Sequence, residues 1–210
     1  MTSSALVELV EVMARLRRDC AWKAGQTHAS LVRYLLEETY EVVEAIEVGD
    51  PEHLREELGD LLLQVYFHAA IAAEDGQYDV EDVAADLVAK LRRRNPHVFP
   101  AEGVRDGGTT ITDPDAINEQ WERIKATEKQ RTELMAGVPD ELPALLRATK
   151  ALDRLERAGQ PAVVPASDDL GDRLLALAVE ARDAGVDPEQ ALRSAVRRLT
   201  GPSTGPSTTP

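Results

Sequence analysis

Apolar residues recur every three or four positions in one segment after another of this chain, and only short breaks separate the segments. A 3.6-residue period is the signature of amphipathic helices and is incompatible with strands, whose side chains alternate with a period of two. Residues 4–18 carry Leu6, Leu9, Val10, Met13 and Leu16 on one face, and "RDCAWKAGQT" then breaks the pattern. Thr27 is placed to cap a second helix that runs to about Val48. In "GDPEHL", Asp50 caps a third helix with Pro51 at its first position; Leu54, Leu58, Leu61, Val65 and Ala69 form its expected inward face, and it ends near Gly76. A fourth starts at Asp79, runs through Val83, Leu87 and Leu91, and stops at "NPH". Helices joined by such short connections are antiparallel neighbours, so the expected fold is all-α, a four-helix bundle with extra C-terminal helices. An aromatic content of only 4% points the same way.

Beyond residue 97 the organisation loosens. Residues 98–112 read as a glycine-rich loop, Asp113-Pro114 opens a further helix, and another runs from about Leu142 to Ala158. Residues 160–167 read as a linker, and "GPSTGPSTTP" has nothing to bury. The expected division is a helical domain over 1–131, C-terminal helices over 132–200 and a disordered tail over 201–210. The stretch "EELGDLLLQVYFHAA" (56–70) aligns without gaps to "DDLGDRLLALAVEAR" (168–182), and "YDVEDVAADL" finds a shorter counterpart in "VDPEQALRSAV". The shared acid-acid-Leu-Gly-Asp opening points to a decayed internal duplication.

The second helix has an unusual face. Its apolar stripe, Leu31, Leu35, Val42 and Ile46, is interrupted by Glu38, with Glu41 one turn on. Acids on a core-facing stripe are costly unless something positive meets them. The third helix offers a second pair, Glu57 and Asp60, and antiparallel packing lets all four carboxylates converge at one level. A divalent cation relieves the resulting repulsion, and an all-carboxylate set suits Mg²⁺ or Mn²⁺. Against this, 38 Asp and Glu make such spacings common by accident, and most acidic pairs are solvated helix faces. Glu37 stands where it could orient a water. Cations that could meet phosphates are Lys90 and Arg94, four apart at the end of the fourth helix, with Arg55 just ahead of the third-helix acids. Helix-dipole complementarity explains the first two equally well, and a local ion pair explains Arg55. Trp121 and Lys125, also four apart, are either a core anchor with a surface cation or a base-stacking face with a phosphate contact.

Net charge is −14, a field that opposes nucleic acid and anionic membrane, so neither is an expected partner. The single cysteine, Cys20, excludes an internal disulfide and suits a reducing cytoplasm. No apolar run is long enough to span a bilayer, and no signal peptide is read.

At this point the residues resemble a known family. "EETYE" followed by "ELGD" matches the EExxE and ExxD motifs of the MazG nucleoside triphosphate pyrophosphohydrolases, an all-α group. The blocks "CAWKAGQTHASLVRYLLEETYEV", "EELGDLLLQVYFHA", "KLRRRNPHVF", "WERIKATEK" and "GVPDELPALLRATK" occur in family order over about residues 5–155. The resemblance implies Mg²⁺-dependent hydrolysis of a ribo- or deoxyribonucleoside triphosphate between the α and β phosphates, serving nucleotide-pool house-cleaning in the cytoplasm. It implies Glu38, Glu41, Glu57 and Asp60 as metal ligands, with Mn²⁺ as a substitute ion, and Lys90, Arg94, Trp121 and Lys125 as nucleotide contacts. Glu37 is the assigned water-activating residue, and a homodimer or higher homo-oligomer is the implied assembly. Two departures stand out: "CAWK" places Lys23 where the family usually has an acid, and Asn95 stands where a His is common. The competing reading is a non-catalytic metal- or nucleotide-binding module that regulates a partner.

Overall fold

The computed structural model describes residues 4–100, 111–129, 133–164 and 167–201. Among these residues there are nine helices and no strand: α1 (Ala5–Asp19), α2 (Ala21–Ala24), α3 (His28–Val48), α4 (Pro51–Glu74), α5 (Val80–Arg94), α6 (Pro114–Lys129), α7 (Ala144–Arg157), α8 (Leu170–Asp183) and α9 (Pro188–Thr200). The fold class is thus the expected all-α one. The chain forms two compact units, Met1–Glu122 and Arg123–Pro210, so that the division falls inside α6. Residues 101–110 of the expected glycine-rich loop and 202–210 of the expected tail lie outside the described residues.

Local chemistry sets the helix ends in the first unit. Thr27 accepts from the Ser30 backbone N–H while the Ser30 side chain returns the bond to the Thr27 N–H, a reciprocal capping box. Asp50 caps α4 with Pro51 in its first turn, and Asp79 forms a second capping box with Asp82. The turn between α3 and α4 is made by Gly49, whose φ of 81° is the left-handed conformation that favours glycine. The break after α1 holds a single helical turn, α2, that sequence periodicity does not reveal.

α4 is the hub: α3 packs along it most extensively, with α1 and α5 against its C-terminal part. The core cluster is Met13, Leu31, Tyr66, Phe67 and Ile71, flanked by Leu9, Leu16, Tyr34, Leu62 and Leu63. This corrects the expected inward faces. On α4 the buried residues are Gln64, Tyr66, Phe67, Ala69, Ile71 and Ala72, whereas Leu58 and Val65 are exposed. The helix is apolar around most of its circumference from Leu61 to Ala73, so periodicity alone cannot choose its face; the large aromatic pair does. Val83, Leu87 and Leu91 of α5 are exposed, as is Ile46 of α3. Leu6 and Val10 of α1 are exposed too, lining an open apolar groove of about 980 Å³ with Met13, Tyr66, Ala70 and Val80.

Arg17 lines the same groove. It is buried, its Nε donates to Glu74 Oε1 at 2.8 Å, and its Nη1 reaches the carbonyls of Lys23, Ala24 (3.2 Å) and Gln26 (3.1 Å). One guanidinium thereby holds the chain around α2 against α4, using the forked donor geometry that only arginine supplies.

In the second unit, α7, α8 and α9 pack mutually around Leu152 and Ala178, and Arg182 of α8 bonds Asp153 at 3.1 Å and also Glu156 of α7. Formal charge is divided unequally. Residues 1–122 carry 11 Lys and Arg against 25 Asp and Glu, while 123–210 carry 13 of each. The whole excess of acid therefore belongs to the first unit.

Candidate metal centre

The seam between α3 and α4 is antiparallel, as shown by its rungs: His28 meets His68, Glu38 meets Gln64, and Glu41 lies with Glu57. Along α3 the residues facing this seam are Tyr34, Glu38 and Glu41, spaced four and three apart; along α4 they are Glu57, Asp60 and Gln64, spaced three and four apart. Glu38, Glu41 and Glu57, all half-buried, each offer a carboxylate oxygen, and these atoms lie within 4.8 Å of one another. Asp60 is half-buried one turn after Glu57; its oxygen is outside that trio, yet its charge acts on Glu38.

The electrostatic consequence is concentrated on Glu38. Its carboxyl is pushed up to about 7, first by burial, then by the negative charges of Asp60 and Glu41. Bonds with Glu41 and Gln64 act in opposite senses, the former raising it and the latter lowering it. Two neighbours stabilise the group without belonging to the expected set. His53 Nε2 is 2.9 Å from Glu57 Oε1, one turn earlier on α4. Gln64, buried, donates through Nε2 to Glu38 Oε1 at 3.5 Å. The i,i+4 spacing of His53 and Glu57 was a readable signal for the first. Nothing in the sequence marks Gln64, which sits among leucines.

The other expected site residues are distributed as follows. Glu37 is exposed, one residue round the helix from Glu38. Arg55 is exposed and lies two residues before Glu57, which turns it to the opposite side of α4 from the acids; the structure does not gather it with them. Lys90 and Arg94 share one face of α5, and the buried Arg94 guanidinium lies over the Trp121 ring, 5.4 Å from its centroid. Lys125 is half-buried one turn after Trp121 on α6.

The donor set fits a hard divalent cation. It is all oxygen, it converges, and it leaves a carboxyl whose ionisation is disfavoured until positive charge arrives. The repeated segment offers no second centre of this kind. Asp169, which aligns with Glu57, is the N-cap of α8 and accepts from the backbone N–H groups of Gly171 and Asp172; no EExxE sequence precedes it in the second unit, and Asp153 and Glu156 of α7 are bonded to Arg182.

The MazG nucleotide pyrophosphohydrolase domain matches residues 26–99, the stretch that contains Glu38, Glu41, Glu57 and Asp60 together with Lys90 and Arg94. The chain is 36% identical over 220 residues to the nucleoside triphosphate pyrophosphohydrolase/pyrophosphatase MazG of Thermotoga maritima, covering 91% of this chain and 81% of that protein. This chain belongs to the MazG family. Among its MazG relatives, the nucleoside triphosphate pyrophosphohydrolase of Mycobacterium tuberculosis is 43% identical over 194 residues, covering 91% of this chain but 54% of that protein, so the chain spans about half its length. A 26.1 kDa protein from Streptomyces cacaoi is 48% identical over 200 residues, covering 93% of this chain and 79% of its own. Among the described residues no helix is long and apolar enough to cross a membrane.

Proposed function

We propose that this chain hydrolyses nucleoside triphosphates between the α and β phosphates, releasing a nucleoside monophosphate and pyrophosphate. The observation that carries the reading is the convergence of Glu38, Glu41 and Glu57 on the α3–α4 seam, with Asp60 close enough to perturb Glu38. These four residues would hold Mg²⁺, for which Mn²⁺ is a chemically similar substitute. Bound there, the ion neutralises phosphate charge and acidifies water. Glu37, solvent-exposed on the flank of the cluster, accepts the proton of the attacking water. Lys90 and Arg94 offset the remaining triphosphate charge, and Trp121, fixed from one side by Arg94, provides a flat face for the base. A stacking face of this kind tolerates any base, in keeping with a house-cleaning role in the nucleotide pool of the cytoplasm. Arg55 is left outside this arrangement.

Two further proposals complete the reading. The exposed Leu36, Ile46, Leu58 and Leu87 make the first unit a component of a homodimer. The second unit is a non-catalytic remnant of a duplication, since one of its two aligned acids, Asp169, is committed to capping α8 and no EExxE sequence precedes it in that unit. Turnover by Glu57→Ala tests the site: release of pyrophosphate falls at least about 100-fold while the helical circular dichroism spectrum is retained. Tight nucleotide binding with no product from the wild-type chain would instead favour a binding module.

A further inference from the structure

Among the described residues of the first unit Gln64 is the most buried polar side chain, 4% exposed, in a helix segment otherwise made of Leu61, Leu62, Leu63, Val65, Tyr66 and Phe67. A leucine or methionine of the same volume would complete that packing without polar atoms. The amide instead makes one bond, from Nε2 to Glu38 Oε1, and its Oε1 is buried with no hydrogen-bond partner. A buried acceptor without a partner costs about 1–3 kcal/mol. The one bond it makes runs to Glu38, one of the three carboxylates that converge on the α3–α4 seam. At 3.5 Å it is long, as catalytic hydrogen bonds commonly are before substrate binds.

We infer that Gln64 is a positioning residue of the metal centre: its Nε2–H fixes the rotamer of Glu38 so that the carboxylate faces Glu41 and Glu57, at the expense of core stability. The inference rests on the reading of the acid cluster as a cation site. An amide suits the task because it donates without adding charge, whereas a fifth carboxylate would deepen the repulsion and a lysine would compete with the cation. Leucine at this position keeps the volume and removes both the donor and the orphan acceptor.

Mn²⁺ affinity, measured by electron paramagnetic resonance on the intact chain without nucleotide, tests this together with thermal unfolding in EDTA. Gln64→Leu is expected to weaken Mn²⁺ binding about 10- to 100-fold while its Tm in EDTA equals or exceeds that of the wild type. In turnover it raises the Mg²⁺ concentration needed for half-maximal rate and retains most of kcat at saturating Mg²⁺. Gln64→Met, unbranched like glutamine, serves if leucine does not fold and is expected to behave the same way. Unchanged Mn²⁺ affinity in a folded variant overturns the inference, and so does a drop in Tm in both variants, which would make Gln64 a core residue only. A wild-type chain that binds no Mn²⁺ fails at the earlier step, the cation reading of the cluster, and takes this inference with it.

Discussion

Glu38 sits where burial and two neighbouring acids disfavour its ionisation, and its behaviour with pH follows from that. Its folded-state carboxyl titrates at about 7, above the ordinary glutamate value of 4.5. Between those values the folded chain holds a proton that the unfolded chain has released, so in the absence of metal stability falls as pH rises from about 4.5 to 7. Metal ligation requires the carboxylate, so Mg²⁺ affinity rises through the same interval. Thermal unfolding in EDTA at pH 5 and pH 8, repeated with Mg²⁺, should show the metal-dependent gain in Tm to be larger at pH 8. Glu38→Gln should flatten the metal-free pH dependence and reduce turnover at least about 100-fold. Substitution of Arg94 acts differently. Arg94→Ala frees the Trp121 ring it covers and removes a phosphate partner, so a rise in KM of about tenfold is expected, with the metal affinity unchanged.

At the scale of the helices, the seam was legible and the core face was not. Glu38 and Glu41 announce themselves because acids interrupt an otherwise apolar stripe, and "ELGD" supplies their partners at one-turn spacing. The caps at Thr27, Asp50 and Asp79 are equally readable, since their chemistry is local. The inward face of α4 is a tertiary choice: Leu58 and Val65 match the period as well as Tyr66 and Phe67, and only packing against Met13 and Leu31 decides between them. Gln64 and Arg17 were silent for a related reason, because their roles depend on partners distant in the chain, Glu38 and Glu74. Arg17 makes a prediction of its own. Arg17→Met unpairs the carbonyls of Ala24 and Gln26, leaves that of Lys23 with only its backbone donors, and should cost about 3 kcal/mol. Glu74→Gln, at a partner that is itself half in solvent, should cost no more than about 1 kcal/mol. Urea denaturation of the two variants separates these roles, and equal losses would mean that the ion pair, not the carbonyl clamp, is what matters.

Across the whole molecule, charge and apolar exposure are unevenly placed. The first unit carries all the net acid and the acid cluster, while the second balances 13 basic against 13 acidic residues and has a capped, ligand-poor copy of the "ELGD" helix. The duplication was visible in the alignment of 56–70 with 168–182; that Asp169 is spent on a helix end was not, because its aligned counterpart Glu57 lies well inside α4. Exposed leucines on the first unit lead to the expectation that light scattering returns twice the 23.0 kDa chain mass. The central claim is that the α3–α4 acids hold a cation for cleavage between the α and β phosphates. Its most direct test is product analysis of the eight common ribo- and deoxyribonucleoside triphosphates with Mg²⁺, for the wild type beside Glu38→Ala. Nucleoside monophosphate and pyrophosphate from the wild type, with neither from the variant, is the predicted result. Orthophosphate as the released product, or equal turnover by Glu38→Ala, would contradict it.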